Sequence, residues 1–173
     1  MATRRDLIGQ MHSLEHAVRL LKLGLRVPLV CEMTRLSDWF IRKLAIEACG
    51  EAPPKGQLPN SELWYLRGRN NLHASLFVSL YFSLKRGAGE GMEPLLAAKL
   101  LIKSFEQYRT VVEAAGLPEI LTPDRAWWLM KSLTIPQLKR AQCLDCEGNY
   151  LVHIGDLVSI HRCHRCAALL RVH

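Results

Sequence analysis

The chain has 173 residues, 49% of them hydrophobic, and carries 23 Lys and Arg against 16 Asp and Glu, for a formal charge of +7 and a pI near 9.3. That suits one compact domain plus a small appendage. No apolar run reaches membrane-spanning length, and the opening Met-Ala-Thr-Arg-Arg-Asp has no apolar stretch of signal-peptide length, so the expected compartment is the cytoplasm.

The charge is uneven. Residues 1–50 hold eight basic against five acidic side chains, residues 125–173 hold seven against three, and the middle balances at eight and eight. Two basic ends around a neutral centre suit an anionic partner, nucleic acid first. The apolar content is high for a chain of this size and hints at surface reserved for a protein partner.

Most of the chain reads as helix. Thr3 with Asp6 resembles a capping box; Leu7, Ile8, Met11, Leu14, Val18 and Leu21 then recur at helical spacing until Gly24. A short helix begins with Pro28 in its first turn, and another runs from Ser37 to Gly50. Three prolines and two glycines in residues 50–60 predict an extended loop. Helices are expected at 61–68, at 71–86 with Asn71 near the cap, at 92–115 closing on Gly116, and from Thr122-Pro123 to Pro136. Leu72, Leu76, Phe77, Val78, Leu80, Tyr81, Phe82 and Leu84 leave the 71–86 helix almost no polar face, which predicts burial all round, either through the centre of the bundle or under another chain.

Residues 27–44 read as a helix-turn-helix. Leu29, Val30 and Met33 face inward, and Cys31 lies where the helices cross. Thr34-Arg35-Leu36 makes the turn with Leu36 in the core, Ser37 caps the second helix, and Ile41 and Leu44 anchor it. Arg35 stands where such turns often place glycine. Outward positions are Asp38, Arg42 and Lys43, with Ser37 and Trp39 beside them, as on a helix that meets bases and phosphates. The competing reading is a helical hairpin with a solvated basic face.

Near the C-terminus stand Cys143-Leu-Asp-Cys146 and Cys163-His-Arg-Cys166, sixteen residues apart. Two C-x-x-C steps at that separation predict a structural four-thiolate zinc site with no open coordination position. Tyr150, Val152 and Ile154 alternate with Leu151 and His153, residues 157–161 form a second β-branched run, and Gly155-Asp156 supplies turn chemistry. The reading is therefore a zinc ribbon: Cys-turn, strand, turn, strand, Cys-turn. Disulfides need an oxidising compartment, a redox C-x-x-C needs a βαβ setting, and an iron–sulfur cluster also uses four cysteines. Cys31 and Cys49 read as small buried hydrophobes, His73 as a hydrogen-bonded core residue, and His161 and His164 as lesser alternatives to cysteine ligands. No catalytic constellation and no phosphate-cradling glycine loop is visible, so no enzyme is expected.

Taken together these segments resemble the FlhC family, the larger-subunit component of the bacterial flagellar master transcription activator. The resemblance rests on Pro53-Pro54-Lys55-Gly56-Gln57-Leu58-Pro59, Asn71-Leu72-His73-Ala74-Ser75, Arg125-Ala126-Trp127, and the cysteine segment with Gly148, Asn149 and His153. It implies a hetero-hexamer with a smaller FlhD-type partner, binding to promoter DNA upstream of flagellar operons, and recruitment of RNA polymerase. It also implies one zinc ion on Cys143, Cys146, Cys163 and Cys166. The expected fold is mainly α: a helical body over 1–136 with a helix-turn-helix-like N-terminal part, and a four-cysteine zinc-ribbon module over 137–173. Arg35, Ser37, Arg42, Lys43, Arg162 and Arg165 are the candidate DNA-binding residues, with Arg171 nearby. The alternative is a zinc-ribbon protein–protein adaptor that makes no DNA contact.

Overall fold

Helical spacing and terminal punctuation translate directly into elements. A computed structural model describes residues 7–53, 56–87, 94–135, 137–156 and 162–169. The expected Thr3–Asp6 box, the strand at 157–161, His161 and Arg171 lie outside them. Among the described residues the chain is mainly helical, with seven α-helices, one strand pair and four clustered cysteines at its C-terminal end. No helix is long and apolar enough to cross a membrane. The chain forms two compact units, each discontinuous in sequence.

The first unit groups Met1–Leu58 with Ala88–Lys103. It holds α1 (Leu7–Leu23), α2 (Val27–Thr34), α3 (Asp38–Cys49) and the first part of α5 (Pro94–Ala114). Helix α1 stops as expected at Gly24, whose φ of +92° lets Gly24 N–H reach the Leu21 carbonyl and Leu25 N–H the Leu20 carbonyl. Helices α1, α2 and α3 pack on one another around buried Ala17, Leu20, Leu29, Val30, Met33 and Ile41. Each of these side chains larger than alanine contributes roughly 1.5–3 kcal/mol on burial. In the first turns of α1, Leu7, Ile8, Met11 and Leu14 are exposed. Periodicity reports which residues share a face, not what covers that face.

Helices α2 and α3 pack on each other across the three-residue turn 35–37. Arg35 adopts φ 61°, the left-handed conformation that glycine takes at such turns, at a cost of about 1 kcal/mol. The Ser37 side chain caps α3 by accepting from Phe40 N–H at 3.4 Å. Leu36 and Leu44 are only half-buried, so Ile41 and Ala45 do the anchoring. Cys49 is exposed rather than buried, because it stands in the last turn of α3 beside the αL cap Gly50.

The second unit groups Pro59–Gly87 with Ser104–His173. It contains a 3-10 helix (Glu62–Leu66), α4 (Gly68–Arg86), the remainder of α5, α6 (Pro123–Thr134), β1 (Leu138–Gln142), β2 (Asn149–His153) and α7 (His164–Leu169). Thr122 caps α6 by accepting from Arg125 N–H at 3.3 Å, with Pro123 in the first turn, as the sequence predicts. Phe77, Tyr81, Phe105 and Tyr108 form an aromatic core with ring centroids 5.4–6.5 Å apart.

Within this chain helix α4 is not buried all round. It begins at Gly68, three residues before Asn71, and Leu72 is 45% exposed while Asn71, His73 and Ser75 are buried. Counting apolar residues missed that the inward face carries polar groups, each with a partner. His73 Nδ1 and the Tyr108 hydroxyl share a hydrogen bond of 2.7 Å, and that oxygen accepts from Leu121 N–H at 3.1 Å.

The strand pair adds an element that the sequence did not announce. β2 pairs antiparallel with β1, which precedes Cys143; Arg140 faces Leu151 and Ala141 faces Tyr150. The hairpin's turn is thus the first cysteine segment itself, and Gly155-Asp156 follows β2 as a second turn. The second cysteine pair sits at the start of α7.

Candidate functional site

The first cysteine turn is a tight hydrogen-bonded knuckle. Cys143 N–H donates to the Gly148 carbonyl at 2.9 Å, and Glu147, at φ 57°, donates its N–H to the Cys143 carbonyl at 3.0 Å. A Cβ at Gly148 would stand 3.3 Å from Cys146 Sγ, so glycine leaves room for that sulfur. From the other side Cys163 N–H donates to Cys143 Sγ at 3.3 Å. Asp145 in the first knuckle and Arg162 beside the second form an ion pair at 2.8 Å that ties the two segments together.

These constraints bring the four sulfurs of Cys143, Cys146, Cys163 and Cys166 within 4.8 Å of one another. Cys146 Sγ and Cys163 Sγ are 3.8 Å apart. A tetrahedron of metal–sulfur bonds of about 2.3 Å has edges of about 3.8 Å. The arrangement therefore fits a tetrahedral metal ion. Amide donors support sulfur charge: the Cys163 N–H, with those of Cys146 and Asp145, overcomes burial and holds the Cys143 thiol down to about 6. Hydrogen bonding with the Cys163 thiol, then burial, pushes Cys166 up to about 12. Cys143 is buried with Ala141, Tyr150 and Val152, and Cys163 and Cys166 pack against that cluster. His164 is not among the ligands, since its Nε2 lies 2.9 Å from the Leu66 carbonyl and ties α7 to the 3-10 helix. Arg165 is exposed on α7 and lines a small pocket with Cys146, Asn149 and His164.

The exposed face of α3 is a separate feature of the first unit. Arg42 is held by Asp38 one turn earlier, Nε to Oδ1 at 2.5 Å and Nη2 to Oδ2 at 3.2 Å. Lys43 Nζ lies 5.7 Å from the centre of the Trp39 ring. Arg35 is exposed at the turn, and the Ser37 hydroxyl is occupied in capping. Beside this basic stripe, Leu7, Met11, Leu14, Leu36, Trp39 and Phe40 line an open groove of about 950 Å³. Trp39 is 71% exposed.

Sequence reading found the four thiols. It missed β1, the Asp145–Arg162 brace, the Asp38–Arg42 pair and the roles of Asn71 and Ser75. The i, i+4 spacing of Asp38 and Arg42 was the one available signal among these.

The protein-family model described as flagellar transcriptional activator (FlhC) matches residues 2–172. The flagellar transcriptional regulator FlhC of Nitrosomonas eutropha is 32% identical over 162 residues, covering 94% of this chain and 82% of that protein. That of Proteus mirabilis is 30% identical over 165 residues, covering 95% and 83%. That of Cupriavidus necator is 30% identical over 163 residues, covering 94% and 77%.

Proposed function

The chain belongs to the FlhC family of flagellar transcriptional activators, and on that premise we propose that it is a DNA-binding subunit which, with an FlhD-type partner in a hetero-hexamer, binds promoters of flagellar operons in the cytoplasm and recruits RNA polymerase. The family is one of transcriptional regulators, not a class of enzymes.

The observation that carries DNA contact is the α2–turn–α3 arrangement with Arg35, Arg42 and Lys43 exposed along one side. A helix of this kind meets the major groove with its outward side chains, while cations on its flank meet phosphate. Arg162 and Arg165 beside the thiols supply further cations in the second unit. The groove bordered by Leu7, Met11, Trp39 and Phe40 supports a protein partner, since exposed apolar patches of this kind mark interaction surfaces.

In this reading the metal is zinc, held by Cys143, Cys146, Cys163 and Cys166, and it supplies folding energy rather than reactivity, because four thiolates leave no position for substrate. The residues around it do the shaping: the Cys143–Gly148 knuckle turns the chain, and α7 returns Cys163 and Cys166 to meet it.

A second reading has an observation in its favour. Asp38 occupies Arg42 and places a carboxylate on the outward face of α3, while Trp39 and Phe40 stand exposed there. Such a face suits a protein contact, as in an adaptor without DNA contact. Gel shift with the FlhD-type partner supplied, at low salt, decides between them. The DNA-binding reading expects a retarded species that weakens steeply as salt rises. The adaptor reading expects none.

A further inference from the structure

Among the described residues the sheet has two strands, and the outer edge of each presents N–H and C=O groups that its strand neighbour does not pair. In the register of β1 and β2, Leu151 faces Arg140, and its own N–H and C=O both point away from β1. Leu151 is 2% exposed, so neither group can turn to water. Two side chains one turn apart on α4 take the place of the missing strand. Asn71 Nδ2 donates to the Leu151 carbonyl at 2.8 Å, and Leu151 N–H donates to Ser75 Oγ at 3.1 Å. The ring closes on itself, since the Ser75 hydroxyl donates to Asn71 Oδ1 at 3.4 Å, and Asn71 Nδ2 also reaches the Tyr65 carbonyl at 3.0 Å. Asn71 and Ser75 are both buried.

Leu151 stands next to Tyr150, which packs against Cys143. Gln142 and Asn149 form the last strand pair before the knuckle. Fixing Leu151 therefore fixes the base of the hairpin whose tip carries Cys143 and Cys146. We infer that Asn71 and Ser75 are positioning residues for the metal centre, holding the β1–β2 hairpin on α4 so that Cys143 and Cys146 meet Cys163 and Cys166 in ligating geometry. This rests on reading the four thiols as a metal site, and it assigns to the buried Asn71 and Ser75 a role in metal affinity. Groups bonded directly to metal ligands typically change metal affinity by about 10- to 100-fold when removed, and Asn71 and Ser75, which act one step further out through Leu151, are expected at the low end of that range.

The test is zinc affinity by chelator competition on the full chain, with the cobalt(II) thiolate spectrum as a second readout of ligand geometry. Ser75→Ala and Asn71→Asp, whose carboxylate cannot donate to the Leu151 and Tyr65 carbonyls, are expected to weaken zinc binding about ten-fold or more. Ser75→Thr keeps the hydroxyl and is expected to restore affinity and spectrum. Coupling is reciprocal, so zinc added to the wild-type chain must slow hydrogen exchange at the Leu151 amide. Where a variant fails to fold, that measurement on the wild-type chain decides. Equal zinc affinity in wild type and folded variants, or a Leu151 amide indifferent to zinc, overturns the inference and leaves the metal site standing. A wild-type chain that takes up no zinc overturns both.

Discussion

Arg42 grips Asp38 with two nitrogens across a single turn of α3, and both side chains are about half-exposed. The pair stabilises little at such exposure. Its effect is on charge: it masks a cation on the face proposed to meet DNA. Asp38→Asn unmasks Arg42 and is expected to tighten DNA binding by the partnered complex. Arg42→Ala is expected to weaken binding across sequences and to reduce the salt slope by about one. Gel shifts over a salt series check both. Affinity and slope unchanged in both variants would assign α3 to a protein interface.

The turn before α3 makes a separate prediction. Arg35 pays for its left-handed φ of 61° with backbone strain that glycine does not incur. Arg35→Gly is expected to raise stability by about 0.5 kcal/mol, the strain released less the extra freedom glycine gains in the unfolded chain. Arg35→Val, β-branched, is expected to lower stability by about 1 kcal/mol or more. Urea denaturation measures both, and a loss on Arg35→Gly contradicts the turn geometry.

His73 predicts a pH dependence. Burial lowers its affinity for a proton below the ordinary imidazole value. The unfolded chain therefore takes up that proton first. The stability supplied by the neutral ring and its Tyr108 bond is complete above about pH 6.5 and is lost as pH falls from there toward the native value. Denaturation midpoints from pH 7.5 to 5.5 should fall more steeply for the wild-type chain than for His73→Gln. Parallel curves contradict the assignment.

How much of this was legible beforehand follows from where each signal is stored. Ser37, Thr122, Gly24 and Gly116 punctuate helices through local hydrogen bonds, so their roles could be read directly. The cysteines announce themselves by spacing, because a knuckle closes over two residues. Strand β1 was invisible: Leu-Lys-Arg-Ala-Gln favours helix, and only its pairing with Asn149–His153 makes it a strand. Asn71 looked like a cap because of its type and place, but its amide reaches a carbonyl 80 residues away. The outward face of Leu7, Ile8 and Met11 has the spacing of a buried stripe, and spacing is silent about cover.

The measurement closest to the centre of this account is elemental analysis of the purified full chain, paired with the Cys143→Ala variant. Cys143 is the most deeply buried of the four thiols. The account predicts one zinc per chain in the wild type, four thiols that react only after chelation, and loss of the metal with disorder of the hairpin in the variant. Wild-type protein that carries no metal, or whose four sulfurs are joined as disulfides in the native assembly, contradicts it.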